Sequence, residues 1–121
     1  MVDPQRLDRG KKRYSEIMQR EAPESDIPFV RDGVVGSVFA DLWTRPGLTT
    51  KERRLISISC VCLASVPMAI EDHIRTALVT GDLTMAEIDE FVLHFAYYAG
   101  WPKAAMVHHI VRGLVTELGE A

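Results

Sequence analysis

Histidine is the residue type in this sequence best suited to moving protons near neutral pH, because its ordinary pKa lies closest to 7. The chain has four histidines. His73 lies on a predicted helix beside Ile70 and Ile74, at the flank of an apolar stripe, and Glu71 lies on the opposite flank. Such a position suits either a packing residue or a general acid and base, and a carboxylate in the same cleft would favour catalysis.

A second histidine, His94, shares a predicted helix face with aromatic residues. Tyr98 follows it by four residues, and Trp101 lies just beyond the end of the same helix. Glu90 precedes His94 by one turn, a spacing typical of surface ion pairs. The aromatic strip is also a suitable wall for a small-molecule pocket with hydrogen-bonding groups. The other two histidines are adjacent on the last predicted helix, and we interpret them as surface or interface residues.

Three arginines surround the turn that precedes the most apolar helix: Arg45, Arg53 and Arg54. A guanidinium group can hold a carboxylate through two parallel hydrogen bonds. The cluster therefore indicates either a site that receives an acidic small molecule or an ordinary solvated helix start.

The two cysteines, Cys60 and Cys62, are expected to be packing residues. Being two residues apart on a helix, they point about 200° away from each other, so they can neither pair nor share a metal in that conformation. The sequence also has no HxxxH or HExxH spacing, no glycine-rich phosphate loop and no GxSxG motif. We therefore expect no metal site.

Apolar residues recur at helical spacing along almost the whole chain, which predicts an all-α fold of about six helices. Thr84 with Glu87, and Thr49 with Glu52, fit capping boxes at two helix starts. The third helix is apolar or small on every side over 55–66, which predicts that it is fully buried, in part by a second subunit.

Composition is typical of a soluble globular protein. The chain has 121 residues, of which 47% are hydrophobic and 26% charged, with a net charge of −3. This length predicts one domain over 1–121, with an N-terminal helix and loop at 1–28 and a core at 29–121. The charge balance argues against nucleic-acid binding. The polar N-terminus and the lack of a long apolar run predict a cytoplasmic protein without a membrane span.

Short motifs from residue 43 onwards follow one another in the order and spacing of a known family. They are WTRPGL at 43–48, Arg53 or Arg54, HIRTAL at 73–78 followed by Gly81, Thr84 with Glu87 and Ile88, LHxAxYAGxP at 93–102, and Ala104. Across 43–105 the sequence therefore resembles the carboxymuconolactone decarboxylase family. The resemblance implies the AhpD-like fold, an all-helical orthogonal bundle, and assembly into homo-oligomers, as trimers or hexamers.

One branch of that family is similar to alkylhydroperoxidases and carries a redox CxxC pair before the histidine of the fourth helix. In this sequence the two positions hold Val66 and Ala69, while Cys60 and Cys62 lie farther upstream. A thiol peroxidase needs a thiolate of low pKa and a resolving thiol. The sequence therefore argues against peroxidase activity.

The other branch decarboxylates a carboxylated lactone and uses neither a metal nor an organic cofactor. The resemblance implies that Arg45 or Arg53 holds a carboxylate of the substrate while His73 returns a proton to carbon. The residues expected to line the pocket all carry rings: Trp43, His94, Tyr98 and Trp101.

This chain departs from the decarboxylases of that family just before His73. Acidic and histidine side chains are typical there, whereas residues 67–69 are Pro-Met-Ala, so Glu71 becomes the candidate catalytic carboxylate. We therefore predict a cofactor-free carboxy-lyase for a small carboxylated lactone or related ring acid. A different proton-transfer enzyme and a non-catalytic oligomer that binds a small acid are the alternatives.

Overall fold

The computed structural model describes residues 3–119, which form six helices. The first two are α1 (Pro4–Met18) and α2 (Phe29–Leu42), and the remaining four are α3 (Thr50–Leu63), α4 (Pro67–Thr80), α5 (Met85–Ala99) and α6 (Trp101–Leu118). No strand occurs in this part of the chain, which confirms the all-α prediction. Within the same residues, none of the helices has the length and apolar character that a membrane span requires.

Gly10 allows α1 and α2 to pack very closely. A Cβ atom at this position would lie 1.9 Å from the carbonyl oxygen of Val35, so any other residue would force the two backbones apart. Farther along the same pair of helices, the Tyr14 ring meets the Phe39 ring edge-on, with centroids 4.9 Å apart. The helix α2 has π-helical hydrogen bonding.

The end of α2 is tied back to α1 by Arg13. Its Nε donates to the carbonyl oxygen of Trp43 at 2.9 Å, and its Nη2 donates to Oγ1 of Thr50 at 2.8 Å. The chain divides into two compact units, of which the first ends at Thr50 and the second begins at Lys51. The sequence predicts instead that the core begins at residue 29, and that 1–121 forms one domain stays a prediction.

The second unit is built around an apolar core to which all four of its helices contribute. At the start of α5 the Glu87 N–H donates to Oγ1 of Thr84 and the Thr84 N–H donates to the Glu87 carboxylate, which confirms the predicted capping box. Gly81 ends α4 in a left-handed conformation with a φ of 78°.

Within the single chain, the helix α3 is buried on one face only, and its full burial over 55–66 with the help of a second subunit stays a prediction. Ile58 and Cys62 lie in the core. Ile56 and Leu63, in contrast, are 52% and 56% exposed, and Cys60 between them is exposed as well. Because residues 56, 60 and 63 share one side of a helix, they form an apolar exposed face, which we call the outer stripe of α3.

Arg54 is an internal residue of the second unit, only 2% exposed. Its Nε donates to Oδ2 of Asp82 at 2.8 Å, and its Nη1 donates to Oγ1 of Thr76 at 3.1 Å. This corrects the interpretation of Arg54 as part of a solvated helix start or of an anion-binding cluster. The guanidinium group instead joins α3 to α4 and to the turn between α4 and α5.

Candidate functional site

A groove between α3 and α5 contains two of the predicted site residues, His94 and Tyr98. It consists of two adjoining cavities, of about 430 Å³ and about 280 Å³, which share Phe91 and His94 as lining residues. We call it the His94 groove. The larger cavity is lined by Leu55, Leu83, Glu87, Glu90, Phe91 and His94, and the smaller by Ser59, Leu63, Phe91, His94, Phe95, Tyr98 and Ala99.

The helical repeat explains how these side chains come to line one groove. On α3 the contributing residues Leu55, Ser59 and Leu63 are four apart and therefore share a face. Phe91 and Phe95 recur with the same spacing on α5. The Ser59 hydroxyl donates to its own helix, at the Leu55 carbonyl oxygen 2.7 Å away. The result is an apolar floor with few polar atoms.

His94 occupies the junction of the two cavities, and its imidazole ring lies parallel to the Tyr98 ring. The two centroids are 5.1 Å apart and the planes differ by 6°. Both side chains are exposed, Tyr98 by 85%. The structure therefore brings together two of the predicted pocket residues. Stacking limits the orientations of the imidazole and leaves its edge nitrogens available to a bound molecule.

The larger cavity has an acidic end. Lys51 forms an ion pair with the Glu87 carboxylate there, and the Thr84 N–H donates to the same group. These contacts, that of Lys51 first, lower the pKa of Glu87 and keep the group ionised. Glu90 adds a second, exposed carboxylate to the same cavity.

His73 is half-buried on α4, a helix that contributes no lining residue to the His94 groove. Its backbone is part of the Arg54 network, because the Thr76 hydroxyl lies 3.0 Å from the Asp72 carbonyl oxygen and 3.2 Å from that of His73. That His73 is catalytic stays a prediction.

Glu71 has a structural partner. Its carboxylate accepts a hydrogen bond from Nη2 of Arg75 at 2.6 Å, and the same guanidinium group binds Glu117 of α6 at 2.8 Å. The two carboxylates, Glu117 first, raise the pKa of Arg75, and Arg75 in turn lowers the pKa of Glu117. That Glu71 is a catalytic carboxylate stays a prediction.

The other predicted binding residues are dispersed. Trp43 lies in the first unit, 4% exposed, with its ring stacked on Phe39 at a centroid distance of 6.1 Å. Arg45 is exposed in the turn after α2, whereas Arg53 is half-buried in the first turns of α3. Trp101 lines a separate cavity between α5 and α6. The role of each as a substrate-binding residue stays a prediction.

The two cysteines differ in burial, because Cys62 lies in the core and Cys60 is exposed. Burial raises the pKa of the Cys62 thiol to about 12, so little thiolate is present at neutral pH. Among residues 3–119, no group of three or more His, Cys, Asp and Glu side chains is arranged to hold a metal ion.

Sequence reasoning missed most of the groove. The floor residues of α3 were interpreted only as apolar, and the spacing of Leu55, Ser59 and Leu63 is the signal that could have identified them as one wall. The opposite wall depends on which face of α5 meets α3, and helix spacing within one segment does not specify that.

Comparison with known proteins gives a consistent result. Residues 30–112 match the carboxymuconolactone decarboxylase family. The chain is 29% identical over 83 residues to 4-carboxymuconolactone decarboxylase of Acinetobacter baylyi, a match that covers 69% of this chain and 61% of that protein. It is 31% identical over 104 residues to nitrosuccinic acid decarboxylase of Metarhizium robertsii, covering 80% of this chain and 72% of that protein. No solved structure gives a significant match. From the family match over more than half its length, this chain belongs to the carboxymuconolactone decarboxylase family.

Proposed function

We propose that this chain is a decarboxylase that releases CO₂ from a small carboxylic acid bound in the His94 groove. The two relatives are named for decarboxylation of 4-carboxymuconolactone and of nitrosuccinic acid. Each of those names denotes an acid that also carries an electron-accepting group, a lactone carbonyl or a nitro group. We infer a substrate of this class, because such a group can accept the electron pair that the departing CO₂ leaves behind.

The charges around the groove favour one position for an anionic substrate. Glu90 repels an anion from the larger cavity, in which Glu87 is already paired with Lys51, whereas His94 is the one basic side chain that lines these two cavities. The substrate is therefore placed in the smaller cavity, between Leu63 and Tyr98. Its volume of about 280 Å³ suits a molecule of roughly ten non-hydrogen atoms.

The proposed reaction needs only proton transfer from the protein. The bond between the carboxylate carbon and its neighbour breaks, CO₂ leaves, and the electron pair delocalises into the lactone or nitro group. The imidazolium of His94 then donates a proton to the carbanion and regains one from water. The apolar floor of Phe91 and Phe95 favours the loss of CO₂, because the negative charge then spreads from the carboxylate over the larger lactone or nitro group.

The remaining predicted residues have secondary places in this proposal. His73, with Glu71 as its predicted carboxylate, is the alternative proton donor for a reaction at α4, since neither residue lines the His94 groove. Arg53, which belongs to the same unit as the groove, is a candidate for holding a second carboxylate of the substrate, and a role for Arg45 stays a prediction from the family resemblance. Trp43 and Trp101 are better explained by their packing in the first unit and by the separate cavity.

We also propose that the chain forms a homo-oligomer, as a trimer or hexamer, through the outer stripe of α3. Ile56, Cys60 and Leu63 present an apolar helix face of the kind that usually marks a protein interface. A second copy of this chain would bury the stripe and would bound the end of the groove at Leu63.

Filling the smaller cavity tests the proposed function. The full chain is incubated with 4-carboxymuconolactone or nitrosuccinate, the substrates named for its relatives, and CO₂ is measured by mass spectrometry. Ser59→Leu should reduce kcat/KM at least about 100-fold by occupying the cavity, whereas Ser59→Ala, the matched control, should remain within about threefold of the parent. Failure of the parent to release CO₂ from either acid would contradict the proposal. Thermal stabilisation without turnover would indicate a binding protein.

A further inference from the structure

A further cavity, of about 450 Å³ and separate from the His94 groove, lies between α5 and α6. Its floor is formed by Ala96 and Ala104, which are buried, and Ala105 lies at its exposed rim. Trp101 lies at the beginning of α6, while His108 and Arg112 follow at the next turns of the same helix. We call this cavity the Trp101 cleft. It shares no lining residue with the His94 groove.

The shape of the Trp101 cleft follows from its small residues. Three alanines along two facing helices leave space that larger side chains would fill, and the resulting volume lies in the range of small-molecule sites. The Trp101 side chain is 62% exposed and leans on the Tyr97 ring, with centroids 5.9 Å apart and planes inclined by 57°. The contact with the Tyr97 ring therefore limits the movement of the indole, which offers an apolar surface to a ligand.

The polar end of the cleft carries N–H donors for an acid group. Arg112 forms an ion pair with Asp89 through Nη2, and this contact uses one of the five N–H donors of a guanidinium group. His108 lies four residues earlier on α6, so both side chains project from the same face of that helix. Asp89 is the one carboxylate among the lining residues and engages one of these donors, so the others can bind one further acid group.

We propose that the Trp101 cleft is a second ligand site that takes a flat apolar acid, such as an aromatic carboxylic acid. The ring packs against Trp101 and the alanine floor, and the carboxylate meets Arg112 and His108. The proposal does not depend on the proposed decarboxylase activity, because none of these residues lines the His94 groove.

The test measures binding of 2-naphthoate to the full chain by isothermal titration calorimetry. Ala105→Phe should weaken binding at least about tenfold, because the new ring occupies the cleft from its exposed rim. Arg112→Gln should weaken it at least about fivefold by removing the cation. The matched control Ala105→Ser keeps the cleft open and should bind like the parent. Ser59→Leu, which fills the smaller cavity of the His94 groove, should also bind 2-naphthoate like the parent.

Four results would overturn the proposal. One is the absence of measurable binding at millimolar 2-naphthoate. A second is an affinity that Ala105→Phe leaves unchanged while circular dichroism shows that variant folded. A third is loss of binding in Ser59→Leu alone, which would place the probe in the His94 groove. The last is equal binding of the neutral analogue 2-naphthalenemethanol, which would exclude recognition of the carboxylate.

Discussion

The buried guanidinium group of Arg54 leads to the sharpest stability prediction. Replacing Asp82 with Asn removes a carboxylate that pairs with this cation and leaves the guanidinium group inside the protein. The Arg54 side chain is 1% exposed and Asp82 is 31% exposed, so the carboxylate is partly solvated while the guanidinium group is not. Breaking a buried pair by deleting one partner costs about 3–5 kcal/mol, and the partial exposure of Asp82 places Asp82→Asn near 3 kcal/mol.

The opposite deletion should be much milder. Arg54→Met removes the buried charge, keeps an apolar side chain of similar length and leaves Asp82 in contact with water, so we expect a loss of about 1 kcal/mol. The double variant Arg54→Met/Asp82→Asn should then be about 2 kcal/mol more stable than Asp82→Asn alone. We expect Asp82→Asn to destabilise the fold more than Arg54→Met because Arg54 is the buried partner of the pair.

Urea unfolding followed by circular dichroism at fixed protein concentration measures these differences. With an m-value of about 1–3 kcal/mol/M, Asp82→Asn should lower the urea midpoint by about 1 M or more, while Arg54→Met lowers it by less. If Arg54→Met is instead the more damaging substitution, or if Asp82→Asn stays within about 0.5 kcal/mol of the parent, the buried network has been assigned the wrong role.

Three further predictions concern packing, ionisation and assembly. Gly10→Ala should destabilise the chain by about 1–3 kcal/mol in urea unfolding because its methyl group meets a backbone carbonyl, whereas Gly113→Ala, with open space around it, should stabilise α6 by up to about 1 kcal/mol. Arg75→Met should raise the pKa of Glu117, measured by NMR titration, towards its ordinary value. The ion pair stabilises the fold fully when the pH is above the ordinary pKa of Glu117, and this stabilisation is lost as the pH falls through the lowered pKa. Ile56→Glu should convert the proposed oligomer into smaller species in light scattering, because a carboxylate in an apolar interface is strongly unfavourable.

Each of these predictions has a result that contradicts it. Equal effects of the two alanine substitutions would refute the close approach of α1 to α2. If Arg75→Met leaves the pKa of Glu117 unchanged, Arg75 does not form this ion pair in solution. For assembly the control is Val79→Glu, which places the same charge on an exposed residue of α4; dissociation by both variants would argue against the outer stripe as the interface.

The features that sequence could predict are those encoded locally. Helix periodicity gave the all-α class, and the Thr84–Glu87 capping box was predicted because both partners lie within one turn. The family resemblance over 43–105 likewise rests on short motifs in order, and the match over 30–112 confirms it.

The features that sequence could not predict depend on residues far apart in the chain. Arg54 is buried because Asp82, 28 residues away, and Thr76, 22 residues away, satisfy it. The ion pair of Arg75 that engages Glu71 also includes Glu117, 42 residues from Arg75. The residues of the outer stripe of α3 also could not be assigned from sequence, since an apolar helix indicates burial without specifying which of its faces the same chain covers.

The central claim is that a small acid loses CO₂ in the His94 groove and that His94 supplies the proton. The most direct measurement is kcat for CO₂ release by His94→Ala and His73→Ala, each compared with the parent under saturating substrate. The account predicts a loss of at least about 100-fold for His94→Ala and a smaller loss for His73→Ala. Full activity of His94→Ala together with an inactive but folded His73→Ala would contradict it and would place the chemistry on α4.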